Sequence, residues 1–376
     1  MFVPQVVAAV VTIAGIGALA GSALMLAFPG NQAIYATALI VLSAILVISG
    51  QYQRVEQAAS VMAGILIVAV IVAVPSGFPR MGRVYRGLVP GIGDDFDLEF
   101  LLPWLGFILA GAAGIMWFSY WVAAREYGGP VEGDLENDET SNRNGSQDWE
   151  DEDLQQRRRD RLKKWLRVMS TTAAIGVVGG GLVIIAFLVL GAELLRPEGI
   201  IPEGIRVAED LTTLLSEVWG EFGYWLLLGS IAIALGGTIV ANQDGCTENV
   251  CRCYPHPQRG SRNSEDESTE SGVKGWLKSA LGDRDRLKNI YVVITVTLLP
   301  LIVFFLVRDP VDILEVGGIV AAAHQPVVAF LTLYLNQTKL PEELKPGWLS
   351  STIMVLSGTI FYHRRDSLLC HRILWL

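Results

Sequence analysis

Residues 111–127 read GAAGIMWFSYWVAAREY. They close an apolar run that begins near residue 100, and a run of about 20 apolar residues crosses a bilayer as a helix. Such a helix is plainest when it meets only lipid. This one instead carries Gly111, Gly114, the thioether of Met116 and the hydroxyl of Ser119, with aromatics at four of the five positions 117–121. A bilayer core holds no water, so irregular backbone and polar groups persist there only inside a bundle or beside an aqueous cavity. The stretch therefore predicts a buried membrane helix with work to do.

The rest of the chain supports a membrane reading. Of 376 residues, 51% are hydrophobic and only 18% charged, with a mean hydropathy of +0.42; a soluble chain carries about 25% charged residues. Apolar runs near 5–28, 32–49, 58–75, 100–123, 171–194, 221–242, 289–307, 311–336 and 348–362 predict an all-α polytopic bundle of about nine spans. Residues 1–123 then hold the first four spans, 124–170 a charged cytoplasmic linker, and 171–242 spans five and six. Residues 243–288 form a cytoplasmic loop, and 289–376 the last three spans and a tail. Residues 1–28 lack the basic start and short apolar core of a cleavable signal. Three of the four cysteines crowd into 246–253, which argues against a disulfide framework.

Positive charge sets the orientation. The loops after even-numbered spans hold 20 Lys and Arg, and those on the other face hold 6. The basic side is expected to be cytoplasmic, which places the N-terminus inside the cytoplasmic membrane and the C-terminus outside. Three Arg in the tail run against this rule. The net charge of −9 comes largely from EGDLENDETSNRNGSQDWEDEDL (132–154), which reads as a solvated linker and also suits a salty, halophile cytoplasm. RRRDRLKKW (157–165) follows it and reads as an interfacial segment on the anionic inner leaflet. Its juxtamembrane position argues against nucleic acid as a partner; the lipid bilayer is the partner.

Polar residues inside spans mark the candidate chemistry. In the fourth span, Pro103 and the glycines at 106, 111 and 114 fit either close helix packing or an unwound helix that exposes carbonyls at the midplane. Met116 beside such a turn is a soft ligand for transition metals, or else a core gap-filler. The eighth span, DILEVGGIVAAAHQPVVAFLTLYLN (312–336), sets His324 and Gln325 near its middle with Pro326 behind them. That grouping is either a satisfied core histidine or a proton or ion path. GVVGGG (176–181) reads as packing, and CRCYPH (251–256) lacks the paired spacing of a zinc site. No phosphate loop, nucleophile elbow or Ser/His/Asp set is present, so the chain does not read as an enzyme and calls for no cofactor.

Three stretches together resemble the Nramp (natural resistance-associated macrophage protein) family of divalent metal transporters: GQYQRVEQ (50–57), GLVPGI (87–92) and TLYLNQTKLPEELKPGW (332–348). Loop lengths and span order are similar to that family from its third helix to its eleventh, in a divergent, haloarchaeal-like branch. The resemblance implies an inverted-repeat transporter fold whose first two helices are missing here. The family's sixth helix is unwound at the ion, with a backbone carbonyl followed three residues later by Met-Pro-His. On this chain the resemblance implies Ala113 for the carbonyl and Met116 for the thioether, while Trp117 and Phe118 replace Pro and His. It further implies Gln325 facing the metal; with the ion so placed, Ser119 lies beside its hydration water and joins His324 on the proton or ion path.

The departures matter as much. The family's Asp-Pro-Gly-Asn motif is absent, and FPGN (28–31) reads only as a connection after the first span. The resemblance lapses from Gln243 to Gly260 and again in FYHRRDSLLCHRILWL (361–376). Both stretches carry the expectation of a shifted reading frame, since VCRCYPHP (250–257) back-translates one nucleotide later to an apolar string. The expected function is membrane transport of a divalent metal cation of the Mn/Fe kind, with protons as a coupling ion and impairment by truncation as a consequence. The alternatives are an organic-solute (amino-acid) carrier of the same fold and a non-transporting remnant or scaffold.

Overall fold

The computed structural model describes residues 2–50, 53–77, 98–108, 111–124, 148–253 and 284–363. Every element among them is helical. In chain order they are α1 (Phe2–Ala27), α2 (Gln32–Ser49), α3 (Gln53–Gly77), α4 (Leu98–Phe107), α5 (Gly111–Ala124), α6 (Asp148–Leu190) and α7 (Val207–Cys253). Then follow α8 (Arg284–Val293), α9 (Leu299–Val307), α10 (Pro310–Lys339) and α11 (Trp348–His363). Apolar runs without strand periodicity become helices because only a helix satisfies its own backbone groups in lipid.

Among the described residues, six helices are long and apolar enough to cross a membrane: Val3–Ala27, Gln32–Ser49, Arg159–Leu195, Gly204–Thr247, Lys288–Val307 and Pro310–Lys339. Two shorter apolar helices, Gln57–Val72 and Trp348–Ile360, and the α4–α5 pair account for the other expected spans. The chain is an all-α polytopic helix bundle.

The helix α1 is its axis. In the apolar window of α1, 83% is buried, against 11% for α6, which lies at the periphery. The start of α1 packs with the end of α7, since Ala9 and Ile13 share a core with Ile239 and Val240. Its end packs with the start of α7, through Ala23 and Ala208. The two helices are therefore antiparallel. The helix α10 is antiparallel to α1 as well: Gly15 lies against Ile313 and Leu314, Gly317 against Val11, and Gln5 meets His324.

Local chemistry explains the joints. Phe28–Asn31 links α1 to α2, where the Asn31 side chain caps α2 by accepting from the Ala33 N–H. Gly21 lets the α2 backbone at Gln32 and Ala36 close on α1. Gly220, at φ 62° and ψ −142°, divides α7 in a conformation that glycine adopts without penalty, so the membrane-crossing part begins where the apolar run at 221 begins. Between α8 and α9 the chain forms a π-helical turn, Ile294–Leu298.

In the fourth span the described helices are α4, which ends at Phe107, and α5, which starts at Gly111, and Gly106 and Pro103 set α4 against the backbone of Gly318 on α10. Two sequence expectations need correction. The linker 124–170 is not wholly irregular, as residues 148–170 continue straight into the fifth span within α6; polarity, not a helix break, marks the membrane boundary there. Nor does the loop begin at 243, since α7 continues to Cys253 and residues 242–247 are all buried. The stretches GLVPGI (87–92), 125–147, 254–283 and the tail from 364 lie outside the described residues.

Candidate functional site

The stretch at 111–124 turns two indoles toward one neighbour. Trp117 and Trp121 stand four residues apart on α5, hence on one face of it, and both meet α7. The Trp121 Nε1 donates to Asp244 Oδ2 at 3.0 Å. Trp117 lies over Gly245, where a Cβ would come within 2.5 Å of the indole Cγ; glycine there is what allows the close approach. Its own Nε1 is buried with no partner. Asp244 is 2% exposed, the one buried carboxylate among the described residues.

Around Asp244, α7 carries an unbroken buried polar tract, Asn242–Gln243–Asp244–Gly245–Cys246–Thr247. Each polar side chain has an occupation. Asn242 Nδ2 donates to the Thr238 carbonyl at 2.8 Å, the Thr247 hydroxyl to the Gln243 carbonyl at 2.6 Å, and Cys246 Sγ lies 3.4 Å from the Tyr291 hydroxyl. Gln243 Nε2 bridges two other helices, donating to the carbonyls of Ile40 at 3.2 Å and Val296 at 2.9 Å. Val296 belongs to the π-helical turn, a backbone irregularity frequent at functional sites. The Gln243 Oε1 is buried and has no donor. From Gly220 to Asp244 is about 36 Å of helix at 1.5 Å per residue, so the tract lies at one edge of a hydrocarbon core about 30 Å thick. That edge is the end marked by the basic loops.

The second polar group is on the α1–α10 seam. His324 Nδ1 donates to the Val320 carbonyl at 2.9 Å, and Nε2 lies 3.0 Å from Gln5 Oε1. Gln5 and His324 are both buried, and the Gln5 amide nitrogen has no partner. Gln325 is half-buried, with its Oε1 sealed from solvent and without a donor. Pro326 does not break α10, which runs through it, though it cannot donate to the carbonyl four residues back.

The other residues read from sequence fall as follows. Met116 is half-buried on α5. Ser119 is exposed, and its hydroxyl is occupied by the Met116 carbonyl at 2.7 Å. Ala113 sits inside the continuous helix Gly111–Ala124, where a carbonyl is engaged by the N–H four residues on. Among the described residues no three His, Cys, Asp or Glu side chains gather as a metal-ligand group. The structure thus joins Ser119 to Met116 and His324 to Gln5, and adds two residues that sequence reasoning missed, Gln5 and Asp244. Gln5 was lost in an apolar N-terminal run. Asp244 fell just past the end assigned to its span, though an Asn-Gln-Asp string closing an apolar run was a usable signal.

Helix length, apolarity and buried polar seams together define a multi-pass membrane protein of the all-α class. No family model matches the chain, and no curated protein matches it either.

Proposed function

We propose that this protein is a secondary transporter of the cytoplasmic membrane that moves a divalent metal cation through its bundle. The observation that carries the reading is Asp244: a carboxylate withdrawn from water at the end of a membrane-crossing helix, tied by Trp121 to the helix that bears Met116. Ionisable groups at such positions are expensive and mark ion or proton pathways. The Nramp-like stretches of the sequence support the same reading. In it Asp244 attracts the cation at the basic-loop end of the bundle. Met116 then supplies a soft ligand, and the Ala113 carbonyl joins it when α5 opens above Gly111. Gln325 faces the metal as a further polar ligand, and His324 and Ser119 belong to the proton or ion path.

A second reading has its own support. The buried, unpartnered Trp117 N–H is a donor, and the buried Gln243 oxygen an acceptor; such a pair suits the carboxylate and ammonium of an organic solute. A third is that the chain is a scaffold or remnant that transports nothing. Uptake into proteoliposomes separates them. The metal reading expects saturable Mn²⁺ entry that amino acids do not compete with. Competition by amino acids favours the organic-solute carrier, and no entry of either favours the scaffold.

A further inference from the structure

The basic stretch before the fifth span takes a definite place in the structure. The helix α6 runs unbroken from Asp148 to Leu190, so residues 157–170 prolong the membrane-crossing rod and do not turn aside along the surface. Positions three and four apart share one side of a helix. On one side of α6, Trp165 and Met169 are half-buried. On the other, Arg161, Lys164 and Arg167 follow at steps of three, and all are exposed. That side continues at steps of three or four through Thr171, Ile175, Val178 and Leu182, which are exposed too. It belongs to a helix whose spanning window is only 11% buried, so it faces lipid. The Thr171 and Thr172 hydroxyls donate to the carbonyls of Arg167 and Val168, at 2.8 and 3.0 Å, and thus enter lipid satisfied within the helix.

Charge selects the lipid. Residues 157–167 hold seven Lys and Arg against one Asp. Among the described residues, no ion pair involves Arg161, Lys164 or Arg167. An apolar lane that ends in such cations fits a phospholipid with net negative charge. Zwitterionic lipid carries no net charge for the cations, and a soluble polyanion offers nothing to Ile175 and Val178.

We infer that the outward face of α6 binds an anionic phospholipid of the leaflet at the basic-loop end, its headgroup at Arg167 and Lys164 and its acyl chains along Ile175, Val178 and Leu182. The site stands independently of the transport reading. An upright helix also ranks the cations. At 1.5 Å per residue, Arg167, Lys164 and Arg161 lie about 6, 11 and 15 Å beyond Thr171, while attraction to a charged surface fades over a Debye length of about 8 Å. Long basic side chains reach back to the interface, so Arg167 and Lys164 hold the headgroup and Arg161 adds little.

Native mass spectrometry of the full-length protein, released from detergent with added phosphatidylglycerol or phosphatidylcholine, tests this. Wild type is expected to hold phosphatidylglycerol at least ~10-fold more tightly than phosphatidylcholine, each cation near the surface contributing about fivefold. Arg167→Gln and Lys164→Gln are each expected to lose about fivefold, Arg161→Gln less than about twofold, and Arg167→Lys to stay within about twofold of wild type. Affinity unchanged in Arg167→Gln and Lys164→Gln puts the lipid elsewhere and overturns the site. Equal losses at all three positions mean a helix lying along the surface, which overturns it as well. So does displacement of the lipid by equimolar glycerol phosphate, the mark of a soluble-phosphate site. Wild-type dimers free of phosphatidylglycerol give this face to a second copy of the chain and likewise overturn the proposal.

Discussion

Trp121 and Asp244 meet across the seam between α5 and α7, the indole Nε1 donating to Oδ2 at 3.0 Å. The contact spans 123 positions of sequence, and it joins the aromatic stretch of the fourth span to the one buried carboxylate among the described residues. It also fixes the indole, and through it the register of α5 against α7.

Replacing Trp121 by Phe removes that donor while keeping an aromatic ring. Asp244 then has one hydrogen bond fewer in a water-poor setting, a loss of about 1–3 kcal/mol. The thermal midpoint of the purified variant is expected to fall accordingly. An unchanged midpoint would show that the bond is replaced at no cost.

Two glycines in long helices predict opposite outcomes. A Cβ on Gly318 would collide with the Pro103 carbonyl and lie 2.9 Å from its Cα; these are backbone atoms that cannot rotate away. Gly318→Ala is expected to destabilise by about 1–3 kcal/mol through overpacking. Gly179 has open space around it, and Gly179→Ala is expected to be neutral or to gain up to about 1 kcal/mol from helix propensity. Parallel melting curves in one detergent check both.

Gln243 ties α7 to α2 and to the π-helical turn. Gln243→Leu keeps the volume near its original value but leaves the Val296 carbonyl without that donor, a cost of about 1–2 kcal/mol. The local signature is faster amide exchange across Ile294–Leu298 than across α9. Uniform protection in the variant would make Gln243 a spectator.

Met116 tests ion preference. Thioether sulfur favours soft ions over hard ones, so Met116→Ala is expected to cut Mn²⁺ or Cd²⁺ uptake by roughly tenfold, a typical single-ligand effect, with a smaller effect on Mg²⁺. Equal loss for all three ions would leave Met116 as a packing residue, consistent with its half-buried place on α5.

Much of the architecture was legible in the sequence because apolar runs of membrane length have one structural outcome. The start of the span after Gly220 and the Asn31 connection both follow from local chemistry. Less legible was anything set by tertiary approach. The seam between α4 and α10 depends on Gly106 and Gly318 meeting backbone to backbone, which no single-segment pattern reveals. The burial of Asn242–Thr247 depends on α5 and on the π-helical turn covering them, so a polar string that reads as a loop becomes core. Gln5 is the same case: its meaning appears only when α10 brings His324 to it, 319 positions away.

Passage of a divalent cation through the bundle by way of Asp244 can be measured as ion flux into proteoliposomes. Wild-type protein and Asp244→Asn, which keeps an oxygen for Trp121, are reconstituted at equal density and given Mn²⁺ on one side. Saturable uptake is expected of wild type and a loss of at least tenfold in the variant, on the order of 1.4 kcal/mol in the transport barrier, with little change in melting temperature. Equal flux through wild type and Asp244→Asn would contradict a route through this carboxylate.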